Sequence, residues 1–549
     1  VRARLIVLLA VSALALTACG GGSAVQDRTV HPIDINPHPR DQIRDGGTLR
    51  LPIDIFPNNY NYNQVDGTNS DILAITEATL PYQFTTMPDG GVVLNHDYLT
   101  SAVLTSTAPQ VVTYTINPKA TWSDGTPFSW RDFESYWKSL NGSNPAYLVS
   151  GTVGYQDITS VTRGVDDKQA VVTFGKPFAE WQGLFSPFAP SSLTSTPEAF
   201  NTAWKSTLPV TAGPFTIDSI DQTRKTVTLK RDPKWWGTPA KLDRIIFTQY
   251  EQSAQADALA NNELDYYEIG ADLNLLRRAQ TTPGAVVRDA PSQYSYQVTM
   301  NGAGGALLSD LPLRQAVVQG IDRTAITKQM IGQIEPDAKP NGNHLYNPGS
   351  KYYQDHAGEL PFDRAKAEQT LDSLGWVRAG AGRQKDGKQL TLRLVFGESP
   401  TNQDIAKAIQ NQLAQIGVTV ELHQLGVAEL FPNITTGNFD LAFFGWGTTS
   451  SPLSSSVNIY GSPIGDNVRE NYGRIGTPEI DALYDQGITQ LDDTKRAEIG
   501  NRIDKLVWQQ AHSVMIYTRP GAVAVRGNLA NFGTFGLADR NYIDAGFLK

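Results

Sequence analysis

From residue 46 onward the chain alternates between two hydrophobic periods. In GGTLRLPIDI, Leu49, Leu51 and Ile53 alternate with other residues, which predicts a half-buried strand. Residues 69–80, NSDILAITEATL, read as a helix with Ser70 or Asp71 as N-cap. A strand over 111–116, a tight turn at Asp124-Gly125-Thr126, a helix from about 129 to 140 and the alternating KQAVVTFGKP follow. The stretch TAGPFTIDSIDQTRKTVTLKRDPKWWG reads as a strand hairpin, and residues 251–265 and 311–332 read as helices. Farther on, helix and strand repeat. Ala365, Leu371 and Leu374 mark a helix that stops at Gly375, and LTLRLVF follows as a strand. Ile405, Ile409, Leu413 and Ile416 mark a second helix, followed by strands at VTVEL and FDLAFFGW. The back half is therefore α/β and the front half richer in β.

The first 45 residues follow neither period. Arg2 and Arg4 precede an apolar run from 5 to 16 and then Leu16-Thr17-Ala18-Cys19, the pattern of a secretory signal. The run is short for a bilayer span. Cys19 is the single cysteine, so an intramolecular disulfide is excluded. The segment resembles the bacterial lipoprotein signal L-[AST]-[AG]-C. That resemblance implies cleavage before Cys19, diacylglycerol on its thiol, and a chain held on the outer face of the cell membrane. Residues 20–45, rich in Gly, Pro and polar residues, read as a flexible tether with His31 and His38 as solvated residues.

Composition narrows the class. A chain of 549 residues has room for several domains, and 40% hydrophobic with 18% charged residues fits a soluble globular protein. The net charge of −9 argues against nucleic-acid binding, which needs a basic face.

A search for catalytic sets comes up short. GRQKDGKQ (382–389) matches the glycine and lysine spacing of a phosphate loop, but Gln389 stands where a Ser or Thr belongs and a strand follows, so it reads as a hairpin loop. NGAGGALL (301–308) lacks the third glycine of a dinucleotide fingerprint. The seven histidines show no close metal-ligand spacing, and no GxSxG elbow occurs. Asp166-Asp167 and Asp492-Asp493 lie in polar contexts that suit solvated loops. The expectation is a protein that is not an enzyme, with no cofactor and no metal.

Aromatic residues beside amides near strand ends are the remaining signal. FPNNYNYNQ places Asn58, Asn59, Tyr60, Asn61 and Tyr62 after the first strand, where a pocket wall and plain surface are both open readings. Trp235-Trp236 reads as packing. In FFGWGTTSSP (443–452) a buried strand runs into small hydroxyl residues.

Taken in order, these stretches resemble the solute-binding lipoproteins of ABC importers, of the peptide/nickel type known as family 5. VVTYTINPKATWSDGTPFSWRDFESYW, TAGPFTI with TVTLKRDPKWWG, LPLRQAVVQGIDRTAI, PFDRAKAEQTLDSLGW, IAKAIQNQLAQIGVTVEL, FDLAFFGW and the helical block at 477–517 carry the resemblance. It implies an α/β fold of the large three-domain periplasmic-binding type, with a ligand cleft between two lobes. Lobe I would hold residues 46–80, 205–300 and 515–549, an inserted domain 81–204, and lobe II 301–514. Hinge crossings would fall near Met300-Asn301 and at 517–521. It also implies Trp446 as an aromatic wall at the cleft, with Gly447, Thr448, Thr449 and Asn301 beside it. Peptide-binding relatives carry an ammonium-binding acid where this chain has Thr449; Asp440 and Asp466 are acids nearby in sequence.

The resemblance implies a monomeric, membrane-anchored binding protein that delivers a peptide or other polar solute to ABC permease subunits. The alternative is a surface lipoprotein using the same scaffold outside transport, binding a glycolipid or a partner enzyme of envelope biosynthesis. A surface hydrolase is the third reading.

Overall fold

The computed structural model describes residues 32–465 and 467–549, and the side chains of these except Val427 and Ala428. The expected signal, Cys19, His31 and Asp466 lie outside the described residues.

In the first lobe, Thr48–Ile53 pairs in parallel with Arg244–Gln249, and Thr226–Arg231 and Phe215–Asp221 extend the sheet antiparallel. The alternation read from the sequence puts Leu49, Leu51 and Ile53 in the core. A second, antiparallel sheet runs in the order Leu99–Thr107, Gln110–Ile116, Gln169–Phe174, Ile158–Arg163. The helix Trp130–Leu140 packs on it and opens with a capping box of Ser129 and Asp132. Both sheets share one hydrophobic core, so the segment expected as an insert is not sealed off from the rest of its lobe. Trp235 and Trp236 pack in this core region against Tyr98, as read from the sequence.

The second lobe is built on a five-stranded sheet in the order Thr419–Leu425, Thr391–Gly397, Leu441–Gly447, Pro291–Met300, Ser513–Pro520. The first three strands are parallel and the last two join antiparallel. Its core is separate and mostly aliphatic. A small sheet of Tyr266–Glu268, Val523–Arg526 and Ala285–Arg288 lies next to the crossings in the chain.

The strand assignment moves one crossing. The chain leaves the small sheet after Arg288 and enters the five-stranded sheet at Pro291, so it changes sheet at Asp289-Ala290 rather than at Met300-Asn301. Residues 291–300 are committed to the second lobe because they are paired on both sides, with 441–447 and 513–520. The return lies at Gly521-Ala522, where Gly521 N–H donates to Ala290 O at 3.1 Å.

Three local expectations are also corrected. The second part of the expected tether is packed: Ile43 is fully buried, Asp34 and Ile43 bridge to Thr534 and Leu548, and Arg40 pairs with Asp544. Isolated bridges to a distant segment leave no periodicity to read. Asn69, one residue earlier than expected, caps the helix Ser70–Thr79 by accepting from Ile72 N. The expected helix over 311–332 is two, Leu311–Gln319 and Arg323–Ile331, because Asp322 starts a new helix by accepting from Ala325 N at 2.9 Å. GRQKDGKQ forms a hairpin, Gly382–Lys385 with Lys388–Gln389, turning at Asp386-Gly387, both with positive φ.

Candidate ligand-binding site

A cavity of about 490 Å³ lies between the lobes, within the usual range of small-molecule sites. The first lobe contributes Tyr62, Glu77 from the helix Ser70–Thr79, Tyr82, Tyr266, Glu268, Asp539 and Arg540. The second contributes Tyr294, the loop residues Leu345, Tyr346 and Asn347, Thr448, Thr449 and Arg496. Arg519 to Val523, at the return crossing, close one wall.

The charges on these walls are mostly neutralised in place. Glu77 pairs with Arg540 at 3.0 Å, Glu268 with Arg519 at 3.1 Å, and Asp493 with Arg496 at 2.7 Å. Two further acids line the cavity without an Arg or Lys nitrogen within 4.0 Å among the described residues: Glu180 and Asp539. Burial pushes Glu180 up to about 7 although Leu453 N (3.0 Å), Ser454 N (2.9 Å) and the Ser454 hydroxyl all donate to it. Asp539 is also pushed up to about 7, first by burial and then by the charge of Glu77; Thr86 N–H donates to it at 2.7 Å. Burial, then the charges of Glu77 and Asp539, hold the Tyr82 hydroxyl in its neutral form.

Of the residues singled out from the sequence, Tyr62, Thr448 and Thr449 line this cavity. Thr448 is fixed by its N–H to Gln293 O at 2.9 Å and by Asn347 Nδ2, which donates to its hydroxyl at 3.1 Å. The Thr449 hydroxyl donates to Ser455 and accepts from Ser451 N, and the residue is exposed. Asn58 is exposed and outside the lining. Asn59, Tyr60 and Asn61 are buried and tie their segment down: Asn59 Nδ2 donates to Gln64 at 3.0 Å, Tyr60 N to Trp204 O, and Asn61 Nδ2 to Phe200 O. Asn301 is buried, donating to Gly437 and Phe439 carbonyls.

Trp446 and Gly447 are not among the lining residues. Strand alternation explains the tryptophan. It shares a face with Ala442 and Phe444, and that face packs with Leu430 and Ile434 of the helix Val427–Thr436. Its ring stacks on Tyr472 at 5.8 Å, and Gly447 pairs with Tyr294, whose ring lies where a Cβ would be crowded. Asp440 is spent on Arg393 N, 2.8 Å away, and is not in the lining.

The loop carrying Leu345, Tyr346 and Asn347 was not singled out from the sequence. Asp504, fully buried, holds it: one carboxylate oxygen accepts from His344 N and meets His344 Nδ1, and the other meets His356 Nδ1, all at 2.7 Å. Asn347 then bonds Ser295, Gln293 and Thr448. The signal was present in NGNHLYN (341–347), an Asn/Tyr run of the same character as NNYNYN at 58–63. Glu180 was equally visible as a lone acid in FAEWQG. Among the described residues, no group of three or more His, Cys, Asp and Glu could hold a metal ion, and no helix is long and apolar enough to cross a membrane.

Two lobes, two backbone crossings and a cavity bounded by both define a ligand-binding protein of the periplasmic-binding class. The family model for bacterial extracellular solute-binding proteins, family 5 (middle region), matches residues 96–467, and the chain belongs to that family. It is 42% identical over 520 residues to the oligopeptide-binding protein OppA of Mycobacterium tuberculosis, covering 94% of this chain and 87% of that one. A second relative from the same organism, the probable monoacyl phosphatidylinositol tetramannoside-binding protein LpqW, is 27% identical over 430 residues, covering 71% and 66% of the two chains. The periplasmic EDTA-binding protein EppA superposes with a TM-score of 0.86 at 26% identity, covering 96% of this chain and all of that structure.

Proposed function

We propose that this protein is the extracytoplasmic binding subunit of an ABC importer and that its ligand is a short peptide, held between the lobes and delivered to a permease. The observation that carries this reading is the charge balance of the cavity: each of its three lining arginines already faces a carboxylate, and its one lining lysine, Lys351, lies over the Tyr352 ring. A polyanion such as a metal–EDTA chelate needs several cations free to meet it, and Lys351 alone would be on hand, whereas a zwitterionic chain with amides along its length suits paired charges, hydroxyls and tyrosines. The charged and hydroxyl-bearing walls also suit a polar solute better than an acyl chain. OppA supports the same reading by kinship.

Tyr62, Thr448 and Thr449 are the sequence-derived residues we assign to ligand contact. Asn59 to Asn61, Asn301, Trp446 and Gly447 support the walls, and Asn58 is left at the surface. Anchoring to the membrane through a lipid on Cys19 completes the proposal and follows from the signal pattern at residues 2–19. Because ligand contacts both lobes together only when they are closed, binding favours closure.

Calorimetric titration with a pool of short peptides and, separately, with metal–EDTA checks the ligand class. Saturable binding of peptides, weakened roughly tenfold by Tyr62→Ala, is expected. Saturable binding of the chelate with none of the peptides would overturn the reading.

A further inference from the structure

The peptide reading leaves the ligand's α-ammonium without its usual partner, because the position expected to carry an acid is Thr449. We propose that Asp539, on the opposite lobe, takes that role. The inference rests on the peptide reading and names the residue that anchors the ligand's amino end.

Among the described residues, five acids line the cavity, and they differ in what already engages them. Glu77, Glu268 and Asp493 are each neutralised by an arginine at 3.0, 3.1 and 2.7 Å. A ligand ammonium approaching one of these would compete with a guanidinium already in place. Glu180 has no cation, but two backbone N–H groups and the Ser454 hydroxyl already take three of its roughly four acceptor positions. Asp440 lies outside the lining. Asp539 remains. It lines the cavity, and its hydrogen-bonding partner there is Thr86, whose N–H lies 2.7 Å from Oδ2 and whose side-chain hydroxyl also bonds it. A carboxylate has about four acceptor positions, so capacity for a further donor is left.

Energetics point the same way. A carboxylate withdrawn from water with no counter-charge is an unfavourable arrangement. Asp539 shows it, pushed up to about 7 by burial and by neighbouring Glu77, with Arg540 engaged by Glu77 and offsetting little. An ammonium arriving with the ligand supplies the missing charge. Tyr82 faces Asp539, and Tyr62 and Tyr266 line the same cavity, so ring faces and hydroxyls are at hand for the ligand. Binding at neutral pH then drives the proton off Asp539, because the ion pair favours the carboxylate.

The test uses one short peptide without Lys or Arg, with a free amino end and as its N-acetyl form, titrated into the whole chain and into D539N. Wild type is expected to prefer the free amine by about 30-fold or more. D539N is expected to lose that preference to within a few-fold while keeping its affinity for the acetylated form. Titrations in buffers of different ionisation enthalpy give the second readout: wild type releases protons on binding the free amine, and D539N releases fewer. If D539N does not fold, D539E, which displaces the carboxylate by one methylene, is read by the same ratio. A preference retained in the variant, or wild type binding both forms equally, overturns Asp539 as the anchor while leaving the peptide reading standing. Wild type binding neither form overturns both.

Discussion

The cavity is bounded by two kinds of junction between the lobes. At the crossings, Asp289-Ala290 and Gly521-Ala522 run side by side, Gly521 N–H donates to Ala290 O at 3.1 Å, and Ala522 O accepts from Ile269 N and Gly270 N. These bonds join backbone that is covalently continuous with both lobes. Elsewhere around the cavity the lobes only touch. Ala179 N–H meets Ile488 O at 2.7 Å, Lys351 N–H meets Asp89 O at 3.0 Å, Lys176 pairs with Asp485 at 3.3 Å, and Glu180 caps the helix Pro452–Tyr460. Ser451, the residue at that helix's own N-cap position, makes no side-chain cap bond, so the cap comes from the other lobe. The first junction is built to persist and the second to part. Water can replace each of its polar contacts when the lobes separate, which is what a protein that must admit and release a solute requires.

The largest break in this contrast is expected at the crossing. A Cβ on Gly521 would lie 2.2 Å from Ala290 O and 3.0 Å from the Thr534 hydroxyl. The nearer neighbour is a backbone carbonyl, which cannot swing aside as a side chain can. Gly521→Val should therefore force the two crossings apart and cost about 3 kcal/mol of stability, read by urea denaturation. An unchanged midpoint would mean that the crossing has slack and is not the fixed partner of the pair.

Much of this arrangement was legible in the sequence and part was not. Period-two alternation at Leu49, Leu51 and Ile53 and helical spacing at Ile405, Ile409 and Leu413 both describe residues facing a core, and the structure puts them there. The site was harder to read because alternation does not say which face meets a ligand. The family resemblance implied Trp446 as a wall, whereas its ring shares the Phe444 face and packs with Tyr472. The crossing was misplaced because 291–300 and the residues before it are both strands, and pairing rather than propensity decides which sheet each joins. Asp504 with His344 and His356, separated by about 150 residues in the chain, leaves no local spacing at all.

Removing the cap breaks the second junction with a smaller effect. Glu180→Ala leaves Leu453 N and Ser454 N without their acceptor across the interface. Loss of a helix cap costs about 1 kcal/mol, so ligand affinity should fall roughly fivefold while the fold persists. The same residue gives wild type a pH signature. Its ordinary value of 4.5 is raised to about 7 by burial, with Arg496 pulling weakly the other way, and Tyr346 also faces it. Below about 4.5 it is protonated whether the lobes are open or closed. As pH rises through 7, closure must hold the charged form out of water, so its contribution to closure is present on the acid side and lost toward the alkaline side. Small-angle scattering of the ligand-free protein should show the radius of gyration growing across that window in wild type and less so in Glu180→Ala. Asp539 titrates in both proteins, so the difference between them isolates Glu180. Identical profiles would remove Glu180 from the closure equilibrium.

The smallest effect is expected from Lys176→Ala, although it removes a charged contact from the same junction. The Lys176 and Asp485 side chains are 52% and 78% exposed, so water and salt already screen them. Exposed pairs of this kind contribute about 0–1 kcal/mol, and the substitution should weaken ligand affinity by less than about twofold, with the difference vanishing at high salt. The comparison with Glu180→Ala is the informative part. Both residues sit in one segment and both reach across to the second lobe, one in water and one out of it. If losing the exposed pair mattered as much as losing the buried cap, the junction would be held by long-range charge attraction. A clear ranking of Glu180 above Lys176 ties closure instead to a buried acceptor meeting two backbone N–H groups, a contact that exists only when the lobes come together.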